Sequence, residues 1–272
     1  MTTPLTPSLL AAADSEGRLS FRDFSDIALY DPENGYYSKK SKRVGRTSEA
    51  DFYTAASLGG VFARLVRCAV GNLLKSEIKD YALVELGAEP EGGALQRVAA
   101  DFESYHAIGH RDKLQVPPKA VVFANELLDA LPFHRLRYTG GRWRELGVEI
   151  QHGSLKEVTL DDISKDAAEF AAALPVTREG YQLDLSLDAE KILQAIISQL
   201  DAGLVIFFDY GKSWAELTEN TPAGTARAYY RHEASRDLLA RPGEQDLTCH
   251  VCWDRLESVL LQSGCKDIQT RR

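Results

Sequence analysis

The chain has 272 residues, with 32 Lys and Arg against 40 Asp and Glu and a net charge of −8. Hydrophobic residues make up 44% and charged residues 26%, the balance of an ordinary globular protein, which excludes fibrous, disordered and disulfide-scaffold classes. Acidity without a long basic run argues against an extended nucleic-acid surface and against docking on an anionic membrane, since both need clustered positive charge.

Four cysteines (Cys68, Cys249, Cys252, Cys265) in a chain of this length read as intracellular thiols, which makes the cytoplasm the expected location. The N-terminal residues carry no basic leader, and nowhere do eighteen apolar residues run together. Neither a signal peptide nor a membrane span is expected.

Ser20-Phe21-Arg22-Asp23 resembles a capping box with Asp in place of Glu, and it opens a short helix whose apolar positions Phe21, Phe24, Ile27 and Ala28 fall at helical spacing. Asp31-Pro32-Glu33-Asn34-Gly35 stops that helix. Residues 38–48, with five basic side chains, read as a solvated loop. From Ser57 the pattern Leu58, Val61, Phe62, Leu65, Val66, Ala69 and Leu73 is an amphipathic helix.

Four short apolar runs follow: Ala82–Leu86, Tyr105–Ile108, Val121–Ala124 and Leu204–Phe208. They read as strands buried on both faces, and the stripes Leu95/Val98/Ala99/Phe102 and Ile192/Leu193/Ile196/Ile197/Leu200 read as helices covering them. The fold class is therefore α/β with a mainly parallel sheet. Between the third and fourth runs, Gly140-Gly141 separates alternating segments, which predicts a small antiparallel meander inserted at about residues 134–182. Residues 1–75 read as a helical and loop segment packed on a domain formed by residues 76–272.

In an open parallel sheet, ligands bind outside the carboxyl ends of the strands, and four such places carry chemistry. Glu85-Leu86-Gly87 leads through Gly92 and Gly93 toward a helix, a turn in which glycine admits a cofactor to the backbone; a plain strand-to-helix turn has the same composition. Asn125, Glu126 and Asp129 put an amide and two carboxylates at one strand exit, more groups than a single helix cap uses. Asp209 before Tyr210-Gly211 is either a site acid or a turn aspartate. Cys249-His250-Val251-Cys252 lacks a second ligand pair for a structural zinc, so no metal is expected, and His250 is a core or cleft histidine.

Taken in order, several strings resemble one family. They are Phe24 to Tyr37, Gly45-Arg46 with Asp51-Phe52-Tyr53-Thr54, Asn125 to Pro132, Asp209-Tyr210-Gly211, Arg231-His232, and Pro242 to Val251. They are similar to the MidA-like S-adenosylmethionine-dependent methyltransferases, whose eukaryotic members are mitochondrial complex I assembly factors that methylate a protein arginine. The resemblance implies a class I, Rossmann-like methyltransferase fold with S-adenosylmethionine at the first two strand ends and a protein as substrate or partner. It assigns Thr54, Glu85 and Gly87, with Gly92 and Gly93 in the same turn, to the cofactor. It puts Asn125, Glu126 and Asp129 where the substrate nitrogen approaches. Because a carboxylate paired with a guanidinium orients the nucleophile and offsets its charge, Glu126 is the expected pairing residue, with Asp129, Asp209 or His250 as orienting partners.

This chain departs from the family pattern on the cofactor side. Ala88-Glu89-Pro90-Glu91 interrupts the glycine turn, Gly109 stands where an acid ends the second strand, and Ala56-Ser57 follows Thr54 in place of Pro-Glu. A second reading follows: a catalytically inactive binding or assembly module that keeps the fold.

Overall fold

A computed structural model describes residues 3–39, 58–74, 76–88 and 92–271. In chain order its elements are α1 (Thr6–Ala12), β1 (Arg18–Ser20), α2 (Phe21–Tyr30), α3 (Gly60–Leu73), β2 (Ala82–Leu86), β3 (Ser104–Ile108), β4 (Lys119–Asn125), β5 (His134–Thr139), β6 (Arg142–Gln151), β7 (Ser154–Thr159) and α4 (Lys165–Ala172). There follow β8 (Gln182–Leu185), α5 (Asp188–Ile197), β9 (Ala202–Phe208), β10 (Gly211–Lys212), α6 (Trp214–Glu219), β11 (Arg227–Tyr230), β12 (Glu233–Ser235), β13 (Asp246–Thr248), β14 (Val251–Cys252) and α7 (Trp253–Gln262).

The four apolar runs form one parallel sheet in the order β3-β2-β4-β9. Side chains alternate between its faces. Leu83, Val121 and Phe123 pack beneath Phe62, Ala63, Val66 and Val70 of α3, whereas Val84, Val122 and Ala124 meet Ile196 of α5. Helix α7 adds Leu256 and Val259 beside α5. Only β2 and β4 are buried on both faces; β3 and β9 are edges and stay half exposed, because each has a neighbour on one side alone. The stripe Leu95 to Phe102 forms no full covering helix. It is a 3-10 run, Gln96–Asp101, whose rise of about 2.0 Å per residue against 1.5 Å for an α-helix lets a short segment return along the sheet.

The chain runs from β2 to β3 on one side, then to β4 on the other. Strand order therefore reverses at β2, and a crevice opens at its carboxyl end.

The meander expected at about residues 134–182 is part of a larger five-stranded sheet. Strand β6 pairs with β5 along its first half and with β7 and β1 along its second, and β8 closes the far side of β5. The sequence pattern missed the contribution of β1, a three-residue strand too short to show alternation. Helix α2 follows β1 directly. Ser20 caps it by accepting from the Asp23 amide at 3.0 Å, and its Phe21 and Phe24 pack against Phe133 in a cluster with Leu19 and Val148. That packing seats the N-terminal segment on the inserted sheet.

Candidate active site

The β4 exit is built by an exchange between two neighbouring strand ends. Asn125 pairs with Phe208 across β4 and β9, and the Glu126 amide donates to the Phe208 carbonyl at 2.8 Å. Glu126 has φ 50, a left-handed backbone that non-glycine residues seldom adopt. The chain then turns back, and the half-buried Asp209 carboxylate accepts from the amides of Leu128 at 2.8 Å, Asp129 at 3.3 Å and Tyr210 at 2.8 Å. Asp209 thus anchors the turn that presents Glu126.

Four carboxyl groups share this exit. Asp129 is 7% exposed and Asp246 is 3% exposed, and the Asp129 side chain hydrogen-bonds to Asp209. Burial, then the charge of Asp209, pushes Glu126 up to about 7, partly offset by a hydrogen bond from Asn125; Asp246 adds to the rise. Burial also raises Asp209 to about 6 against its three amide donors. Asp129 is driven well above the carboxylate range by burial and then by the charges of Asp209, Asp246 and Glu126. A cation beside such a cluster would let its carboxyls ionise.

This arrangement sets a pH dependence. The raised carboxyls bind protons in the folded chain that they release above about pH 4 when unfolded, so their contribution to stability is complete below that range and is lost as pH rises through 6 to 7. Asp188, held low chiefly by hydrogen bonds from Lys191 and Arg22 against the opposing effect of burial, is already ionised in that window and does not offset the trend. Thermal melts between pH 5 and 8 are expected to show Tm falling, with Glu126→Gln flattening the fall; a wild-type Tm that climbs over this interval would contradict the assignment.

At the β2 exit, Gly87 has φ 71 and turns the chain out of the strand. Glu85, 5% exposed, points along the sheet. One of its oxygens accepts from the Ala94 amide at 2.6 Å, the other from the Leu95 amide at 2.9 Å and the Tyr105 hydroxyl at 2.8 Å. Glu85 is therefore committed to shaping the loop. A Cβ at Gly93 would lie 2.1 Å from the Tyr105 hydroxyl and 2.3 Å from a Glu85 oxygen, so only glycine permits this closure. Thr54 and the inserted Glu89-Pro90-Glu91 lie outside the described residues.

Between the β2 and β3 exits and the N-terminal segment lies a cleft of about 440 Å³, lined by Ala88 and Gly92 on one side, Gly109 to Asp112 on another, and Tyr30, Tyr37 and Ser38 on the third. Asp31 holds the turn after α2 by accepting from the amides of Glu33 and Asn34. The result is an aromatic wall: Tyr30 stacks on Tyr37 with ring centroids 5.4 Å apart, and His110 lies 4.5 Å from Tyr37. The Arg111 guanidinium donates to the Tyr30 carbonyl and to the Ser38 hydroxyl, tying the wall to the loop after β3.

The structure brings Asn125, Glu126, Asp129 and Asp209 together, and His250 stands between Cys249, whose amide donates to the Asp129 carbonyl, and Val251, whose amide donates to the Tyr210 carbonyl. His250 lies among Lys212, Arg227 and Glu216, where burial lowers its pKa, and its Nδ1 has no hydrogen-bond partner among the described residues. Sequence reasoning missed Asp246, Tyr30, Tyr37, His110, Arg111 and Asp112. The Tyr30 to Tyr37 string was recognisable as a motif, but its place on the cleft depends on a fold that carries α2 across the inserted sheet. Among the described residues no His, Cys, Asp and Glu group has metal-ligand geometry, and no helix is long and apolar enough to cross a membrane.

A parallel sheet with its switch point at β2, a glycine turn there and a cleft beyond it define a Rossmann-like α/β fold. A family model described as "Putative S-adenosyl-L-methionine-dependent methyltransferase" matches residues 64–269. The chain belongs to this family, and S-adenosylmethionine is its cofactor.

Among individual proteins, it is 26% identical to the mitochondrial protein arginine methyltransferase NDUFAF7 homolog of Drosophila melanogaster, over 91% of this chain and 68% of that protein. The Danio rerio mitochondrial protein arginine methyltransferase NDUFAF7 is 25% identical over 52% of this chain and 32% of its own length. A crystal structure of a COG1565 superfamily member from Burkholderia thailandensis bound to S-adenosyl-homocysteine superimposes with a TM-score of 0.82 at 25% identity, covering 96% of this chain and 76% of that one. The relatives named as mitochondrial lend no support to the cytoplasm as location.

Proposed function

We propose that this chain transfers a methyl group from S-adenosylmethionine to a guanidinium nitrogen of a protein arginine. The observation that carries the reading is the cluster of Glu126, Asp129, Asp209 and Asp246 beside a cleft at the cofactor end of the sheet. The names of the curated relatives support arginine as acceptor.

The residues present fit the cofactor. The glycine turn leaves backbone close to the cleft, and the aromatic wall offers ring faces. Gly109 replaces the acid at the strand end, but Asp112 stands three residues later on the same cleft, with one oxygen accepting from the Gly109 amide at 2.7 Å. Asp112 holds the ribose hydroxyls in this reading. A hydrogen bond to a charged group is worth about 1.5–3 kcal/mol, so Asp112→Asn is expected to weaken S-adenosylhomocysteine binding by roughly 10-fold or more in calorimetry. Unchanged affinity would remove Asp112 from the ribose site.

S-adenosylmethionine, when bound, supplies an electrophilic methyl group on a sulfonium. Glu126 pairs with the guanidinium and fixes which nitrogen faces the cleft. The attacking nitrogen must lose a proton as its bond to carbon forms, and the Glu126 carboxylate, poised near neutrality, accepts it. Asp209 and Asn125 hold Glu126 in place, and Asp129 and Asp246 add negative field.

The deciding experiment combines calorimetric titration of S-adenosylhomocysteine with transfer of labelled methyl from S-adenosylmethionine to proteins of an extract, followed by acid hydrolysis. Methylarginine is the expected product. Cofactor binding without transfer would instead favour the inactive assembly module, and no binding at millimolar ligand would sink both the enzyme and the cofactor assignment.

A further inference from the structure

Tyr37 occupies a place that neither half-site alone explains. Its ring is part of the wall of the 440 Å³ cleft, stacked with Tyr30 and packed 4.5 Å from His110. Its hydroxyl leaves the cleft and donates to an Asp246 oxygen at 3.0 Å. Asp246 in turn is 3% exposed on β13 and places its charge on both Glu126 and Asp129. The same side chain therefore contacts the volume that would be filled by the cofactor and the carboxylate group that would receive the acceptor. Tyr36, its neighbour, turns the other way into the core and meets Tyr37 edge-on at 5.0 Å.

We infer that Tyr37 is a positioning residue that couples the two half-sites: filling the cleft fixes its ring, and its hydroxyl then fixes Asp246 and the field on the acceptor carboxylates. This rests on the arginine reading given above. Two ligands that each favour one arrangement of a shared element must bind more tightly together than apart, and the coupling is reciprocal. A bound cofactor thus prepares the site for the cation before the acceptor arrives.

The test needs no identified protein substrate. Ethylguanidinium chloride serves as the acceptor probe and S-adenosylhomocysteine, which lacks the sulfonium charge, as the cofactor probe. Calorimetry of the wild-type chain is expected to show ethylguanidinium binding at least about fivefold tighter with saturating S-adenosylhomocysteine than without it, within the usual range of such couplings. Tyr37→Phe keeps the ring and removes the hydroxyl. In it the coupling, read as the ratio of ethylguanidinium affinities with and without S-adenosylhomocysteine, is expected to fall below twofold. Asp246→Asn weakens the same link from the other side, and the double variant is expected to be no worse in coupling than either single one.

Full coupling in folded Tyr37→Phe overturns the inference. So does an equal loss of cofactor affinity, which would make the hydroxyl a cofactor ligand. Tyr37→Phe removes the hydroxyl donor outright, so that variant, once shown folded by its melting curve, decides the matter. Ethylguanidinium that binds the wild type but ignores S-adenosylhomocysteine sinks this inference alone, whereas none bound at 50 mM, roughly a tenfold excess over a weak millimolar site, sinks the arginine reading with it.

Discussion

Glu126→Gln is expected to lower kcat/KM for methyl transfer by roughly 100- to 1,000-fold while S-adenosylhomocysteine affinity stays within about threefold. The substitution preserves shape and one acceptor oxygen but removes the charge that pairs with the guanidinium. Removing one partner of a close, desolvated charge pair costs about 2–5 kcal/mol, and 1.4 kcal/mol is tenfold in rate. Cofactor affinity is spared because Glu126 lies at the β4 exit, whereas the cleft is lined by residues following β2 and β3 and by the N-terminal segment. Labelled-methyl transfer measured beside calorimetry separates the two effects. Equal losses in transfer and cofactor affinity would move Glu126 out of the acceptor site.

Gly93→Ala is expected to lower stability by about 2–4 kcal/mol and to abolish cofactor binding at micromolar ligand. The added methyl would lie 2.1 Å from the Tyr105 hydroxyl and 2.3 Å from a Glu85 oxygen, and overpacking of a rigid site costs roughly that much. Neither neighbour can withdraw freely. The Glu85 carboxylate is fixed by two loop amides and by Tyr105, and it sits in β2, paired on both sides. The loop carrying Gly92 and Ala94 must move instead, and Gly92 lines the cleft. For a chain of this size the drop corresponds to roughly 5–15 °C in Tm. Wild-type cofactor affinity in folded Gly93→Ala would show that the Glu85 closure does not shape the cofactor site.

The sheet was legible because β2 and β4 are mostly apolar, with Glu85 the one charge inside β2 and Lys119 and Asn125 only at the ends of β4, and their order of appearance with α5 and β9 follows the pattern of a parallel α/β fold. The acids at the β4 exit were legible for a related reason: they follow a buried strand immediately, so their position at a carboxyl end is a matter of counting. Asp246 and Tyr37 had no such marker. They lie 209 residues apart in sequence and meet only because β13 pairs with β11 at one edge of the site while the turn after α2 folds over the cleft. Asp112 carries no such marker because it lies in the loop three residues beyond Gly109 and not at the strand end. The capping residue Ser20 was correctly read, yet nothing in Arg18–Ser20 announced a strand, since three residues cannot display a period.

The left-handed backbone at Glu126 has a consequence for selection. A residue with φ 50 is more comfortable as glycine or asparagine, and above neutrality the half-buried carboxylate there also stands charged beside Asp209. Glu126→Gly relieves both, so it is expected to leave the melting temperature at pH 8 unchanged or higher. Selection of this chain for heat resistance alone has no reason to keep Glu126. Only a screen that reads methyl transfer will keep it.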